Sequence, residues 1–367
     1  MFKKFAFVCS LAAAFVLFTS AKPSPVAKYD KEVSSIVKDL DVVGLSTAVV
    51  SGNKIIFSKA YGVKNIDTQE PMTTDAYIKA GLAGRVIIPM AIFQCVDNGL
   101  INLKDDVSKY LGFELRNPDY PDTPITISML LRQNSSLMDA KGWKDITDLK
   151  DGNLEGLWND AKPGAKYKKC NNGYLILAAI VEKVAGVNFE EYAKAYIFGP
   201  LGIDASYTPG DYKDVRVAGY YYKDGEYKRS SLYKKEKIEN YVIGETTAKM
   251  CPTTHLMITT DDMAKVILTI LNNGLCPVTG KRLYSEAASA QFLKPNKANT
   301  RCAGISISTK VIDGVNLYFG NSTQKGTYVV YAFEPVSKVG FFAACNGASS
   351  KDWPTEMREA FAKAFLK

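Results

Sequence analysis

The feature that most constrains the fold of this chain is the order of its periodic segments. Strand-like patterns occur at both ends of the chain, and helical patterns lie between them. The predicted strands cover residues 46–50, 55–61, 302–308, 315–319, 327–333 and 339–345. The predicted helices cover residues 85–98, 125–131, 172–184, 261–271 and 355–366. This order predicts an α/β (α+β) fold, with one antiparallel sheet built from both termini, flanked by helices, and a mostly helical insert.

The first 21 residues have the pattern of a cleavable secretory signal. Lys3 and Lys4 precede an apolar run over 5–18, and small residues follow as far as Ala21. The run is shorter than the ~20 residues that a membrane-spanning helix needs. We therefore expect cleavage after Ala21, a secreted or periplasmic protein, and no transmembrane segment in the mature chain.

The composition is that of a globular protein, with 47% hydrophobic and 23% charged residues in a chain of 367. These values exclude a disordered or fibrous chain. The length suits one large domain or two smaller ones, and we expect residues 22–367 to form a single domain. Its α/β part is expected to cover about 22–75 and 285–367, and its helical part about 76–284.

Charge and histidine content exclude several classes of site. The net charge is +8, but the densest basic stretch, 228–237, is interleaved with Tyr, Ser and Glu. A solvated hairpin explains this stretch better than a nucleic-acid site does. His255 is the single histidine of the chain, which excludes a multi-histidine metal site. We expect neither a metal nor another cofactor.

Six cysteines follow the signal, and export permits them to form disulfides. They are Cys95, Cys170, Cys251, Cys276, Cys302 and Cys345. Six cysteines allow fifteen pairings, so the sequence does not fix a disulfide pattern. None belongs to a CxxC pair, and Cys95 and Cys345 lie in apolar runs. These features favour buried thiols over disulfides.

Five phrases of the chain carry a resemblance to a known family. They are QCVDNGLINLKDDVSKYLGF (94–113), PITISMLLRQNSSLMD (124–139), PGAKYKKCNNGYLILAAIVEKVAG (163–186), IFGPLGI (197–203) and TTDDMAK (259–265). In order and spacing they resemble the serine β-lactamases and penicillin-binding-protein-like serine hydrolases, nearest the class C and DD-peptidase branch. The resemblance covers nearly the whole mature chain and implies the β-lactamase/transpeptidase-like fold.

The first active-site motif of this family is altered here. The family uses S-x-x-K, in which a serine at a helix start has a lysine one turn later to assist its deprotonation. By the resemblance, Gly81 stands at the nucleophile and Gly84 at the lysine. Neither residue has a side chain, so no catalytic residue is predicted at these positions. Lys79 and Arg85 are the nearest cations, and we expect both to point to other faces.

The other two motifs are altered as well. The resemblance aligns Lys169, Cys170 and Asn171 with Y-S-N, and residues 321–323 with K-T-G. Asn171 is retained as an amide that could bind a carbonyl, and Cys170 is interpreted as a buried thiol. The candidates for lining the cleft are Lys169, Asn171, Asn321, Ser322 and Thr323. His255 stands in place of a Gly-Gly glycine and is interpreted as structural.

Three functional hypotheses follow from these motifs. All three motifs are changed while the scaffold phrases remain, which favours an inactive pseudoenzyme that binds a cell-wall peptide or a related amide ligand. A second hypothesis is a divergent serine hydrolase in which Ser135 or Ser136 is the nucleophile and Lys169 is the base. The third is a structural or protein-partner role with a vestigial cleft.

Overall fold

The computed structural model describes residues 23–151, 154–212, 215–231, 238–294, 308–312 and 314–367. The predicted signal, residues 1–21, lies outside the described residues. So do Cys302 and all of the predicted strand over 302–308 except Ser308.

Strands cluster near both ends of the chain, as the sequence predicts. The strands are β1 Gly44–Ser51, β2 Lys54–Asn65, β3 Glu70–Pro71, β4 Ile78–Lys79, β5 Tyr220–Lys223, β6 Glu226–Arg229, β7 Met257–Ile258, β8 Ser308–Ile312, β9 Val315–Gln324, β10 Thr327–Glu334 and β11 Val339–Cys345. The helices are α1 Pro25–Asp39, α2 Ile87–Asp97, α3 Ser108–Leu111, α4 Ile127–Arg132, α5 Gly173–Ala185, α6 Phe189–Ala193, α7 Gly199–Leu201, α8 Thr260–Leu271, α9 Glu286–Phe292 and α10 Trp353–Phe365.

The main sheet has seven strands in the order β3-β2-β1-β11-β10-β9-β8. Neighbouring strands are antiparallel throughout. At its centre β1 pairs with β11, and Leu45 lies opposite Cys345. The sheet is therefore built from both ends of the chain, which confirms the predicted fold class.

Both faces of the central strands are covered, because side chains alternate between two cores. On one face Val49 and Phe341 contact the core formed with α1 and α10, which includes Trp353. On the other face Ala48 and Phe342 belong to the core that contains the helical region. As a result β11 is buried along its whole length and consists of apolar residues, and β1 is buried up to its last residue although it includes Ser46 and Thr47.

The predicted helix over 85–98 begins differently from the expectation. A 3₁₀ turn, Gly81–Val86, precedes α2, which starts at Ile87. Pro89 therefore lies in the first turn of α2, where no backbone N–H has a partner within the helix. Gly81 has φ +55°, so the chain at this point is in the left-handed region and the regular helix cannot start there.

The cysteines agree with the buried-thiol interpretation. The five cysteines in the described residues are free, and Cys95, Cys170, Cys276 and Cys345 are buried. Cys251 is only partly buried. Within the described ranges, no helix combines the length and apolar character needed to cross a bilayer.

A buried carboxylate holds the helical region together. Glu182 of α5 is fully buried and accepts hydrogen bonds from the N–H groups of Phe189 and Gly244, at 2.9 and 2.7 Å. The Thr247 hydroxyl donates to it at 2.7 Å, and the Tyr241 hydroxyl donates as well. One side chain thus joins α5, the start of α6 and the segment 241–247.

We expect Glu182→Ala to lower the free energy of unfolding by about 3–5 kcal/mol, because it leaves several buried donors without an acceptor. Chemical denaturation measures this loss. The matched control is Glu191→Ala, an exposed carboxylate on α6, for which a change within about 0.5 kcal/mol is expected. Equal effects of the two substitutions would contradict this role of Glu182.

Candidate functional site

The space beside Gly81 is occupied by a side chain from strand β9. A Cβ placed on Gly81 would lie less than 3.0 Å from Ser322 Oγ, closer than real Cβ atoms approach. Ser322 is 3% exposed, and its Oγ accepts a hydrogen bond from the N–H of Leu82 at 2.9 Å. A hydroxyl from the sheet therefore fills the place into which a side chain at position 81 would project.

Gly84 is enclosed in the same way, by apolar atoms. A Cβ on Gly84 would lie 2.7 Å from Leu256 Cβ and 3.3 Å from Ala80 Cβ. Both neighbours are fully buried. Because interiors are close-packed, a long side chain at position 84 requires Leu256 to move. The two positions of the altered first motif are thus closed by different neighbours.

Strand β9 presents only one of its three candidate residues to Gly81. Ser322 and Gln324 both lie beside Gly81, as expected for residues two apart on one strand face. Asn321 and Thr323 are exposed and belong to the opposite face. The stretch 321–323 therefore contains one buried side chain, Ser322, and two exposed side chains on the opposite face of the strand.

Arg85 corrects one expectation from the sequence. We expected it to point away from the motifs, but its Nη1 donates to Asn171 Oδ1 at 2.9 Å. Its guanidinium carbon lies 4.4 Å from the ring centroid of Tyr174, and the residue is 8% exposed. A buried cation is thus supplied to the second motif by the residue that follows Gly84. The 3₁₀ turn explains the error, because it directs side chains differently from the α-helix that we assumed.

Asp139 organises the second motif, and the sequence analysis did not select it. Its Oδ2 accepts from Asn171 Nδ2 at 2.8 Å, and its Oδ1 accepts from the N–H of Asn172 at 2.8 Å. The Cys170 thiol donates to the same carboxylate at 3.5 Å. The only signal in the sequence was its place at the end of the phrase 124–139, which contains no chemical motif.

Cys170 and Asn171 are therefore both engaged within the protein, whereas Lys169 is exposed. Cys170 is 2% exposed, and burial, with the nearby Asp139 carboxylate, raises the pKa of its thiol. A thiol of raised pKa is a poor nucleophile, because the thiolate is the reactive form. Among the three residues, only Lys169 is available to solvent without breaking an existing contact.

The structure places Ser135 and Ser136 in the interior, each 2% exposed. Ser136 Oγ accepts from Asn117 Nδ2 at 2.6 Å and donates to the carbonyl of Asn159 at 3.2 Å. In the described part of the chain, Lys169 forms no hydrogen bond with either serine. The Ser–Lys pair that the relocated-nucleophile hypothesis requires is not formed in this structure.

A second group of titratable residues lies behind the first motif. Lys79 of β4 is 6% exposed, and burial lowers its pKa to about 8. Burial, reinforced by the charge of Lys79, lowers the pKa of His255 to about 4. The pKa of the Cys251 thiol is raised by burial, and the charge of Lys79 offsets part of this increase. The arrangement favours a neutral imidazole and a partly neutral amine at neutral to mildly basic pH.

No group of three or more His, Cys, Asp or Glu suited to hold a metal occurs in the described ranges. The first motif, with two filled glycine positions, also offers no amine and hydroxyl in contact. What the described site can do chemically is present the exposed ammonium of Lys169 to a ligand.

The filled space at Gly81 yields a test by substitution. We expect Gly81→Ser to destabilise the protein more than Gly52→Ser does. Gly81 and Gly52 have φ of +55° and +57°, but a Cβ on Gly52 meets no atom within 4 Å. Both serines therefore share the left-handed backbone cost of about 1–2 kcal/mol, and only the one at 81 meets Ser322.

Thermal unfolding of the single variants and of Gly81→Ser/Ser322→Gly measures the contact. The second substitution should recover stability in the Gly81→Ser background and not in the Gly52→Ser background. Equal unfolding temperatures for the two glycine variants would show that Ser322 does not fill this space.

The single histidine permits a direct test of the second group. We expect the imidazole C–H resonance to titrate near pH 4, because burial disfavours the charged form. The folded pKa lies below the ordinary value of about 6.5, so the native state binds fewer protons and stability falls as pH drops from 6.5 to 4. His255→Gln should remove about 2–3 kcal/mol of that loss. An NMR titration midpoint near 6.5 would contradict this environment.

The comparisons with known proteins agree with the fold described above. The family model for β-lactamase matches residues 30–364. Penicillin-binding protein 4* of Bacillus subtilis (strain 168) is 25% identical over 166 residues, 42% of this chain and 35% of the relative. The teichoic acid D-alanine hydrolase of Staphylococcus aureus is 29% identical over 182 residues, 48% of this chain and 44% of the relative. The matched region thus spans less than half the length of these curated relatives.

A solved structure shows the same fold over most of the chain. The octameric penicillin-binding protein homologue from Pyrococcus abyssi has a TM-score of 0.74 and 20% identity. The likeness covers 93% of this chain and 77% of that one. With the family model matching nearly the whole described chain, this protein belongs to the β-lactamase family.

Proposed function

We propose that this chain is an exported, catalytically inactive member of the β-lactamase family that binds a cell-wall peptide or a related amide without turning it over. The observation that carries the proposal is the side chain of Ser322, which fills the space at Gly81 where the family has its nucleophile. Export is supported by the signal pattern of residues 1–21. An exported chain has access to cell-wall material.

The loss of catalysis is supported by packing as well as by residue identity. A single missing nucleophile could be restored by one substitution, but Gly81 is closed by Ser322 and Gly84 by Leu256. Removing both nucleophile and base leaves only the acceleration that oxyanion stabilisation and binding supply. The N–H of Leu82 is already bonded to Ser322 Oγ, so this donor is not free for a substrate oxygen.

Ligand binding is supported by the groups that remain accessible. Lys169 is exposed and carries an ammonium, and the half-buried Gln324, beside Gly81, carries an amide. These groups suit a ligand with a carboxylate and peptide amides. One relative is named a teichoic acid D-alanine hydrolase, which supports a ligand that carries D-alanine, and another is named a penicillin-binding protein.

The experiment measures binding and turnover in one sample of the mature protein. We expect an N-acyl-D-alanyl-D-alanine peptide to bind saturably in calorimetry, with no D-alanine released above the buffer blank. Fluorescent penicillin should leave no covalent label, and nitrocefin should stay uncleaved. Lys169→Gln should weaken binding several-fold, and the neighbouring exposed Lys168→Gln should not.

Two results would overturn the proposal. Release of D-alanine would establish catalysis. A penicillin label would assign it to a relocated serine if the label is lost in Ser322→Ala, Ser135→Ala or Ser136→Ala. Absence of saturable binding would instead leave the cleft without the ligand that we propose and favour a structural role.

A further inference from the structure

The geometry points to Lys79 as a site of covalent attachment, at which its amine condenses with a small uncharged aldehyde to form an imine. Lys79 lies on β4, two residues before Gly81, and it is 6% exposed. Its amine forms no hydrogen bond and no ion pair with the described residues. This inference does not depend on the proposed function, because it concerns a different side chain and a covalent step.

The backbone at Lys79 is held by a short strand pair. Lys79 pairs with Met257 of β7, and the N–H of Ala80 donates to the carbonyl of Leu256 at 2.8 Å. Ala80 and Leu256 are fully buried. The amine therefore extends from a fixed point inside the protein, which lowers the entropic cost of placing it against the carbonyl group of a ligand.

The charge of Lys79 acts on two residues of a tight turn, Cys251 and His255. The carbonyl of Cys251 accepts from the N–H groups of Thr254 and His255, at 2.9 and 3.0 Å. Asp145 also acts on Cys251, but it forms no ion pair with Lys79. Cys251, Thr254 and His255 are only partly buried, so this turn is open to solvent.

A buried amine without an acceptor is disfavoured in its charged form. Burial lowers the pKa of Lys79 to about 8. About a tenth of this amine is then neutral at pH 7, against ~0.04% of an ordinary lysine with a pKa of ~10.4. The neutral amine is the form that attacks a carbonyl carbon, and desolvated lysines are the ones that form imines in proteins.

The condensation balances without a further reactant. The nitrogen lone pair of Lys79 adds to the carbonyl carbon, the carbonyl π bond breaks, and its oxygen takes one proton given up by the nitrogen. Water then leaves, formed from that hydroxyl and the second amine proton, and a C=N double bond remains. The unprotonated imine has no charge, so the desolvation penalty that acts on the ammonium is removed.

The surroundings select the class of carbonyl compound. Formation of a neutral imine removes the positive charge of Lys79, so a carboxylate on the ligand would be buried without a partner from this side chain. Burial lowers the pKa of His255 to about 4, and the neutral imidazole offers a carboxylate no charge near pH 7. An uncharged aldehyde meets both conditions, whereas a keto acid or an aldehyde acid does not.

Reductive trapping of the mature protein with propanal and cyanoborohydride at pH 7, read by peptide mass spectrometry, tests this site. Cyanoborohydride delivers hydride to the imine carbon and leaves a stable secondary amine. An adduct on the Cys251 thiol has no C=N bond and is not trapped. We expect Lys79 to be modified at least tenfold faster than the exposed Lys168.

Three controls connect this reactivity with burial. Nα-acetyl-lysine in the same sample is the reference, and the ratio of the Lys79 rate to its rate should fall from pH 7 to pH 10, as the reference loses its own proton. In urea the advantage of Lys79 over Lys168 should disappear, because unfolding removes the burial. Glyoxylate in place of propanal should give Lys79 a lower rate relative to the reference.

Three outcomes would overturn the inference. Modification of Lys79 no faster than that of Lys168 in the folded protein would show that the amine is not activated or not reached. An advantage that persists in urea would show that it does not come from the fold. Equal relative rates with propanal and glyoxylate would show that the site does not select uncharged aldehydes. None of these results bears on peptide binding, which is measured with different variants and a different ligand.

Discussion

The pairing of β1 with β11 is the interaction on which the rest of this structure depends. It joins residues separated by about 300 positions, with Leu45 opposite Cys345, and it sets the centre of the seven-stranded sheet. A slip of one residue would move Val49 and Phe341 from one core to the other. Because both faces are buried, against α1 and α10 on one side and the helical region on the other, the register has one acceptable value.

The sheet register also decides the chemistry of the site. β10 pairs with both β11 and β9, so the position of Ser322 follows from the central pairing. That register brings the hydroxyl of Ser322 to the N–H of Leu82 and into the space beside Gly81. The glycine and the serine are complementary, because a larger residue at 81 has no room while Ser322 keeps its place. The altered motifs are therefore one packed arrangement and not two independent losses.

Buried polar groups stabilise the loops around this arrangement. Asp139 receives hydrogen bonds from the second motif, and Arg85 bonds to the same Asn171. Behind them, Lys79 and His255 are held in surroundings that disfavour their charged forms. A cleft in which cations, amides and carboxylates satisfy one another is stable without a ligand. Lys169 stays exposed to solvent beside this arrangement.

Much of the fold could be predicted from the sequence, because local patterns carry it. The hairpin β1–β2, the strands β10 and β11, and helices α5 and α8 with their end signals were predicted within a few residues. The start of α2 also lies within two residues of the prediction, but the 3₁₀ turn before it was not predicted, since the left-handed Gly81 lies against side chains of β9. Arg85 was misjudged for the same reason, and Asp139 carried no pattern by which its role could be recognised.

The sequence by itself determined the family resemblance, the sheet built from both termini and the absence of side chains at positions 81 and 84. These follow from residue type and from periodicity along the chain, which are local properties. Only the tertiary structure decided what occupies the space of the missing side chains and which cation reaches Asn171. Such contacts join residues such as Gly81 and Ser322, about 240 positions apart, and they depend on packing that no local pattern encodes.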